Sequence, residues 1–171
     1  MVYPIIVILL VVIDQMLKYN FWHYLEINGD LVIFPWLNLS LAFNTGAAWS
    51  FLADTNFGIY LLSFCSLFCS VALACYFYCF RRQLDAPAKL GLALIIAGSL
   101  GNLCDRVYLH KVVDFVDFHL GNWHFPTFNG ADSYITLGIL LLLLLLLTGR
   151  LHLPLLYENK KLTGETDGRN K

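Results

Sequence analysis

The chain has 171 residues, of which 58% are hydrophobic and 13% are charged, and its formal net charge is −1. A soluble domain carries about twice that charged fraction, so the composition excludes an ordinary soluble protein, and the balanced charge gives no reason to expect nucleic acid as a partner. The length allows one membrane domain, which we predict over residues 1–156.

Four apolar segments predict four transmembrane helices. The predicted spans cover about residues 2–19, 57–80, 88–106 and 132–153. The second span contains no charged residue and is long enough to cross a bilayer with some tilt. The predicted fold class is therefore an all-α polytopic membrane protein, with two polar loops, about 20–56 and 107–131, on the same side of the membrane.

The basic residues predict the orientation of these spans. Eight of the eleven lysines and arginines fall within residues 81–89 and 150–171, whereas residues 20–56 contain none. Because cytoplasmic loops carry the excess of basic residues, we predict that both termini are cytoplasmic and that both long loops are outside. The short polar tail, residues 157–171, is predicted to be a disordered cytoplasmic extension.

The first outer loop contains the pattern of a strand. Residues 37–44 alternate apolar with polar or small side chains, which is the period of a half-buried strand. Thr45 and Gly46 then supply a turn, and the aromatic residues just before the strand suit the membrane interface. We predict a small β-sheet over residues 37–50, lying on the outer membrane surface.

Polar residues are most concentrated between the end of the third span and the start of the fourth. Asn102 and Arg106 are four residues apart, so they share one helical face. Asp132 begins the fourth span. We predict that it caps this helix and that its anion meets the positive end of the helix dipole.

Five aspartates are predicted to lie near the outer face. They are Asp14, Asp105, Asp114, Asp117 and Asp132. A carboxylate this close to lipid is energetically costly unless it forms an ion pair, contacts water or has a function. Two carboxyl groups that share a proton can activate water, as in aspartic proteases. The residues alone leave every pairing open. Asp14 before Lys18 at i,i+4 fits a helical ion pair, and Asp105 next to Arg106 suggests a similar orienting role.

The residues alone also leave other classes of function open. The sequence contains neither the His-Glu-x-x-His pattern of zinc proteases nor a Gly-x-Ser-x-Gly nucleophile motif. A small proton- or ion-coupled transporter is the main alternative, and it predicts acidic groups near the middle of the membrane and often internal repeats. A non-catalytic assembly factor is a second, and it predicts that Asp→Asn changes leave function largely intact.

Five ordered motifs in residues 1–155 resemble those of lipoprotein signal peptidase, the type II signal peptidase of bacteria and aspartyl peptidase family A8. They read Asp14-Gln15-x-x-Lys18, Asn44-Thr45-Gly46-Ala47-Ala48-Trp49-Ser50, Gly101-Asn102-Leu103-Cys104-Asp105-Arg106, Val112-Val113-Asp114-Phe115 and Phe128-Asn129-Gly130-Ala131-Asp132. The sequence departs from the family pattern at Gly130, where an aliphatic residue is more common, and at Trp49, where Phe is common.

The resemblance implies which residues form the site. In this family the catalytic dyad comes from the last two motifs, which correspond here to Asp114 and Asp132. The resemblance further implies several residues that line or support the site. These are Asn44, Asn102, Arg106, Asn129, Asp14 and Lys18, and Asp105 joins them through its orienting role. The sheet over residues 37–50 would form the family's substrate cradle, and no metal or organic cofactor is implied.

The resemblance also implies a reaction. The expected activity is that of a monomeric endopeptidase of the bacterial inner membrane, with its active site at the outer face. It would cut a prolipoprotein just before a cysteine that carries a diacylglyceryl group. The helix dipole favours Asp132 as the ionised member of the dyad. Asp114, among Val112, Val113 and Phe115, is expected to stay protonated, although a coupled pair titrates as a unit.

Overall fold

A computed structural model of the protein describes residues 2–46 and 56–151 as four helices and four strands. The helices are α1 Val2–Asn28, α2 Asn56–Phe80, α3 Ala86–Leu109 and α4 Gly130–Leu147, and the strands are β1 Leu31–Phe34, β2 Leu37–Asn44, β3 Val112–Leu120 and β4 Trp123–His124. All four helices are long and apolar enough to cross a membrane. The predicted fold class, four spanning helices with a small sheet, is confirmed. Trp49 and the tail 157–171 lie outside the described residues.

The first helix is longer than the predicted span. It continues nine residues past residue 19 and ends at Asn28, where Gly29 adopts a positive φ of 73° and donates its N–H to Leu25 O at 2.9 Å. A glycine in this left-handed conformation is a common helix end. Loss of apolar character marks where a span leaves lipid, whereas backbone conformation marks where a helix stops, so the two boundaries differ.

The strands form one antiparallel sheet in the order β1-β2-β3-β4. The strand predicted over residues 37–44 is β2, and its register pairs Ala42 with Asp114 and Asn44 with Val112. The sequence does not predict the other three strands, and residues 107–131 resemble a polar loop in it. The first four residues of β3 are buried, so they lack the alternation of a half-buried strand, and the aspartates of this strand resemble loop residues in sequence.

The topology brings three helix ends to this sheet. The chain enters β1 from the end of α1 and enters β3 from the end of α3, and it enters α4 soon after β4. The short turn between α2 and α3, which contains Arg81 and Arg82, lies at the opposite end of the bundle. An apolar cluster lies at that opposite end, and it includes Leu84 from the turn, Leu92 from α3 and Leu145 from α4.

Close packing of α3 against α4 positions the first turn of α4. A Cβ atom at Gly98 would lie 2.2 Å from the carbonyl oxygen of Ala131, and one at Gly138 would lie 2.7 Å from the carbonyl oxygen of Gly91. Small residues at both crossings let the two backbones touch, as is common between membrane helices. Asp132, one residue after Ala131, is therefore held at a fixed position along the axis of α3.

Candidate active site

Asp114 is buried in β3 and receives hydrogen bonds on both carboxyl oxygens. Its side chain is 1% exposed. Asn129 Nδ2 donates to Oδ1 at 2.7 Å, and Asn44 Nδ2 donates to Oδ2 at 3.2 Å. Burial, together with repulsion from the Asp132 carboxylate, raises the pKa of Asp114 from 3.8 to about 7. This aspartate therefore carries a proton at a pH where an ordinary aspartate is ionised.

Asp132 lies in the first turn of α4, but it is not the N-cap. The N-cap is Asn129, whose Oδ1 accepts the Asp132 N–H at 3.0 Å, while Asp132 Oδ2 accepts the Asn129 N–H at 3.2 Å. The prediction that Asp132 itself caps the helix is therefore wrong, because a capping box places the acid three residues after the cap. The carboxylate still lies at the positive end of the helix dipole.

Two buried amides connect the carboxyl groups. Asn102 Nδ2 donates to Asp132 Oδ1 at 2.7 Å. Asn129 Nδ2, which donates to Asp114, also lies 3.1 Å from Asn102 Oδ1. Asn44, from β2, contacts Asp114 from the other side and accepts the Gly46 N–H on its own oxygen at 3.0 Å. Amides from α3, β2 and the residue before α4 therefore hold the two acids in one network.

A second polar cluster, of Asp14, Lys18 and Asp105, lies behind this network. Lys18 Nζ is 2.9 Å from Asp14 Oδ2 and 3.0 Å from Asp105 Oδ2. Asp14 Oδ1 accepts the Ala131 N–H at 2.7 Å, and Asp105 Oδ2 accepts the Val113 N–H at 3.0 Å. The cluster thus ties the backbones before Asp114 and Asp132 to α1 and α3.

Asp105, for which an orienting role is expected, does not face the same side of α3 as Arg106. Consecutive residues on a helix point about 100° apart, so Asp105 faces α1 while Arg106 faces the cavity described below. Gln15, which the sequence presents only as part of a motif, is a partner of Asp105: its Nε2 donates to Asp105 Oδ1 at 2.8 Å and to Gly101 O at 3.1 Å. Its place directly after Asp14 was the only available signal.

A cavity of about 1250 Å³ opens beside the two acids. The polar residues of the network that line it are Asp114, Asp132, Asn44, Asn102 and Arg106. Arg106 lies within electrostatic range of both acids. Of the five candidate aspartates, only Asp114 and Asp132 line this cavity; Asp14 and Asp105 hold Lys18, and Asp117 Oδ1 lies 2.8 Å from His124 Nδ1.

Comparison with known proteins identifies the family. The family model described as Signal peptidase (SPase) II matches residues 6–148. The chain belongs to the signal peptidase II family. It is 40% identical over 141 residues to a lipoprotein signal peptidase of Coxiella burnetii, covering 82% of this chain and 86% of that protein. It is 37% identical over 142 residues to one of Francisella tularensis subsp. mediasiatica, covering 82% and 88%.

Solved structures agree with this assignment. A bacterial membrane enzyme determined by the in meso method at 2.3 Å resolution superposes with a TM-score of 0.76 at 29% identity, covering 99% of this chain and 94% of that chain. A second, at 1.9 Å resolution, superposes with a TM-score of 0.73 at 32% identity, covering 85% and 92%. The expected family is confirmed.

Family membership decides between the functional alternatives. The chain has a signal peptidase II function, which makes it a protease, and the aspartic type is the class of this family. The four spanning helices and the family together indicate a protein of the bacterial inner membrane. The transporter alternative is not supported by any of these matches.

Proposed function

We propose that Asp114 and Asp132 are the catalytic dyad of this signal peptidase II. We further propose that its substrates are prolipoproteins whose cysteine already carries a diacylglyceryl group, and that it cuts the peptide bond just before that cysteine. The observation that carries the proposal is the shared cavity: among the five candidate aspartates, these two alone line it, and one amide network holds both.

The surroundings of the two acids divide their roles. Asp132 accepts hydrogen bonds from the Asn102 side chain and the Asn129 backbone and lies at a helix N-terminus, a set of contacts suited to the base that takes a proton from water. Asp114 is buried beside Asp132, and its pKa of about 7 means that it stays largely protonated below neutral pH. The pair therefore carries one shared negative charge, which is the state that acid–base hydrolysis needs.

In the proposed reaction, Asp132 takes a proton from water as the water oxygen attacks the scissile carbonyl carbon. Asp114 gives its proton to the carbonyl oxygen, which forms a neutral tetrahedral diol. The C–N bond then breaks as Asp132 returns its proton to the leaving nitrogen and Asp114 takes one from a diol hydroxyl. Both acids regain their starting state, and Arg106, at the cavity wall, stabilises the charge that develops on oxygen.

The proposed orientation places the site at the outer membrane face. The sheet and the cavity lie at the end of the bundle opposite Arg81 and Arg82, and basic residues favour the cytoplasmic side. Strand β1 exposes its apolar side chains, and Phe34 stacks on Trp36 with ring centroids 5.1 Å apart, which suits contact with the lipid interface. A monomer in this position would meet its lipid-anchored substrate laterally, with water entering from outside.

Lipid modification of the substrate is expected to control the rate. Purified enzyme should cleave a diacylglyceryl-modified prolipoprotein at least about 100-fold faster than the same protein with a free cysteine thiol, because acyl-chain binding orients the scissile bond. A gel-shift assay of the two matched substrates measures the ratio. Equal cleavage of both would contradict lipid recognition, and cleavage of neither by folded enzyme would contradict the proposed substrate class.

The pH profile should reflect the raised pKa of Asp114. Because this carboxyl must be protonated to act as the acid and loses its proton as the pH rises through about 7, kcat should fall about tenfold per pH unit above about pH 8. Initial rates measured from pH 5 to pH 9.5 on the lipidated substrate, with the detergent micelles held constant, test this. A rate that rises through pH 8 would contradict the assignment of Asp114 as the acid.

A further inference from the structure

Lys18 makes three polar contacts in a place that the cavity does not reach. The residue is 2% exposed. Besides the carboxylates of Asp14 and Asp105, its Nζ contacts the side-chain oxygen of Asn102 at 3.0 Å. An ammonium group has three N–H donors and no acceptor. All three donors therefore have a partner. Two of the partners are carboxylates, and the third is the neutral side-chain amide of Asn102, which itself contacts the proposed dyad.

The contact with Lys18 determines which way the Asn102 amide faces. Because an ammonium can only donate, it meets the amide oxygen, and the NH₂ group must point away, towards Asp132 Oδ1 at 2.7 Å. Turning the amide round would set NH₂ against the ammonium and oxygen against the carboxylate. Both contacts would then be repulsive, so the cation makes one orientation of Asn102 strongly preferred.

The same oxygen also orients Asn129. Asn102 Oδ1 accepts from Asn129 Nδ2 at 3.1 Å, and that NH₂ group donates to Asp114 Oδ1 at 2.7 Å. Asn129 Oδ1 is meanwhile occupied by the Asp132 N–H. The buried cation thus sets the donor direction of Asn102 directly. It supports that of Asn129 through Asn102, in the same sense as the contacts of Asn129 with the Asp132 N–H and with Val113 O at 3.3 Å. Each amide delivers an N–H to a different member of the proposed dyad.

We propose that Lys18 is a positioning residue for the reaction: it acts through Asn102 and Asn129, and it keeps N–H donors rather than amide oxygens facing Asp132 and Asp114. This inference rests on the proposed dyad. It assigns to Lys18 a role in the chemical step beyond anchoring α1 to α3. Lys18 itself does not touch the cavity, so substrate binding should not depend on it directly.

Loss of the ammonium should favour protonation of the dyad. The charged groups around the network are Asp14 and Lys18 from α1, Asp105 and Arg106 from α3, Asp114 from β3 and Asp132 from α4. Without the cation, Asn129 Nδ2 is the remaining donor to the Asn102 oxygen, so the Asn102 amide turns more readily and can present its oxygen instead of its NH₂ group to the dyad. The attraction of Lys18 for the Asp114 anion is lost as well. Both effects move the alkaline limb of the pH profile to higher pH.

Two variants separate this role from general stabilisation. Lys18→Met removes the donor but leaves two buried carboxylates without their cation. Lys18→Met combined with Asp105→Asn removes the donor while the cluster keeps its net charge of one negative unit, now on Asp14 alone. The matched control is Gln15→Met, because Gln15 lies on the same helix and also contacts Asp105. Its side-chain hydrogen bonds go to Asp14, Gly101 and Asp105 rather than to Asn102.

The measurements are kcat, KM and the pH profile for lipidated prolipoprotein. In the charge-matched double variant, kcat should fall about 100-fold with KM changed less than about threefold, and the alkaline limb should move up by about one pH unit. Gln15→Met should keep the wild-type pH profile. A folded double variant with wild-type kcat and profile would overturn the proposal.

Failure of both Lys18 variants to fold would also overturn it, because Lys18 would then be a purely structural residue. Wild type and Asp132→Asn are assayed alongside as a check on the dyad itself. Wild-type cleavage by Asp132→Asn would mean that the dyad assignment fails, whatever the Lys18 variants do. An inactive Asp132→Asn with unaffected Lys18 variants would mean that only the positioning role fails.

Discussion

Replacing either Asp114 or Asp132 by asparagine should lower kcat for prolipoprotein cleavage by at least about 1000-fold. Asparagine can neither take a proton from water nor give one to the carbonyl oxygen, and the proposed reaction passes a proton through each carboxyl group twice. Because the two acids act as a unit, the double variant should be little worse than either single one. Single-turnover cleavage of lipidated substrate, with enzyme in excess, measures the residual rate.

The matched control for these variants is Asp117→Asn. Asp117 is also a buried aspartate of β3, three residues after Asp114, but it pairs with His124 and does not line the cavity. We expect it to retain kcat within about threefold, as is usual for changes outside the reacting groups. An equal loss in Asp117→Asn would indicate that any aspartate of this strand is needed for folding. Normal cleavage by Asp114→Asn would disprove the dyad.

Thermal unfolding distinguishes an inactive dyad variant from an unfolded one. The pKa of Asp114 is raised from 3.8 to about 7 in the folded protein, so its proton stabilises the fold fully below pH 3.8 and this contribution is lost as the pH rises through about 7. Above pH 7 the wild type carries a buried anion that the asparagine variant lacks. The difference in Tm between Asp114→Asn and wild type should therefore favour the variant more at pH 8 than at pH 5.

The elements that the sequence predicts well are those whose signal is local. The apolar length of each span and the alternation of residues 37–44 depend only on neighbours along the chain, and they correspond to four helices and to β2. Strand β3 is not predicted because the pattern of its apolar and polar residues depends on the elements that pack against it. Val113 and Phe115 are buried on one face and Val112 and Asp114 on the other, so no alternation remains.

The site depends on contacts that no sequence spacing encodes. Asp14 and Lys18 form the i,i+4 pair that helix geometry predicts, yet their decisive partners are distant: Lys18 reaches Asn102, 84 residues later, and Asp14 reaches the Ala131 backbone, 117 residues later. The sequence contains five candidate aspartates but gives no distances between them, so it leaves every pairing open. Only the family resemblance selects one pair. The supporting role of each residue then follows from its partners rather than from its place in a motif.

A second large effect is expected where α3 meets α4. Gly98→Ala should disrupt the enzyme, because the added Cβ would lie 2.2 Å from the Ala131 carbonyl oxygen and 2.7 Å from Ile135 Cγ1. The first neighbour is backbone, so the helices themselves must separate and shift Asp132 relative to Asn102. Alanine favours a helix over glycine by about 1 kcal/mol, but overpacking of this kind costs about 1–3 kcal/mol or more. We expect a lower melting temperature and about a 100-fold loss in kcat.

Gly130→Ala is the contrasting substitution, at one of the two positions where the sequence departs from the family pattern. Its Cβ would meet Asp14 Oδ1 at 3.1 Å, with Tyr134 side-chain atoms next nearest at 3.8 and 3.9 Å. A side-chain oxygen can yield by a few tenths of an ångström where a backbone carbonyl cannot. Stability within about 1 kcal/mol of wild type and near-normal kcat should result. If Gly98→Ala instead behaved like Gly130→Ala, then α4 would have room to move, and the position of Asp132 would not depend on helix contact.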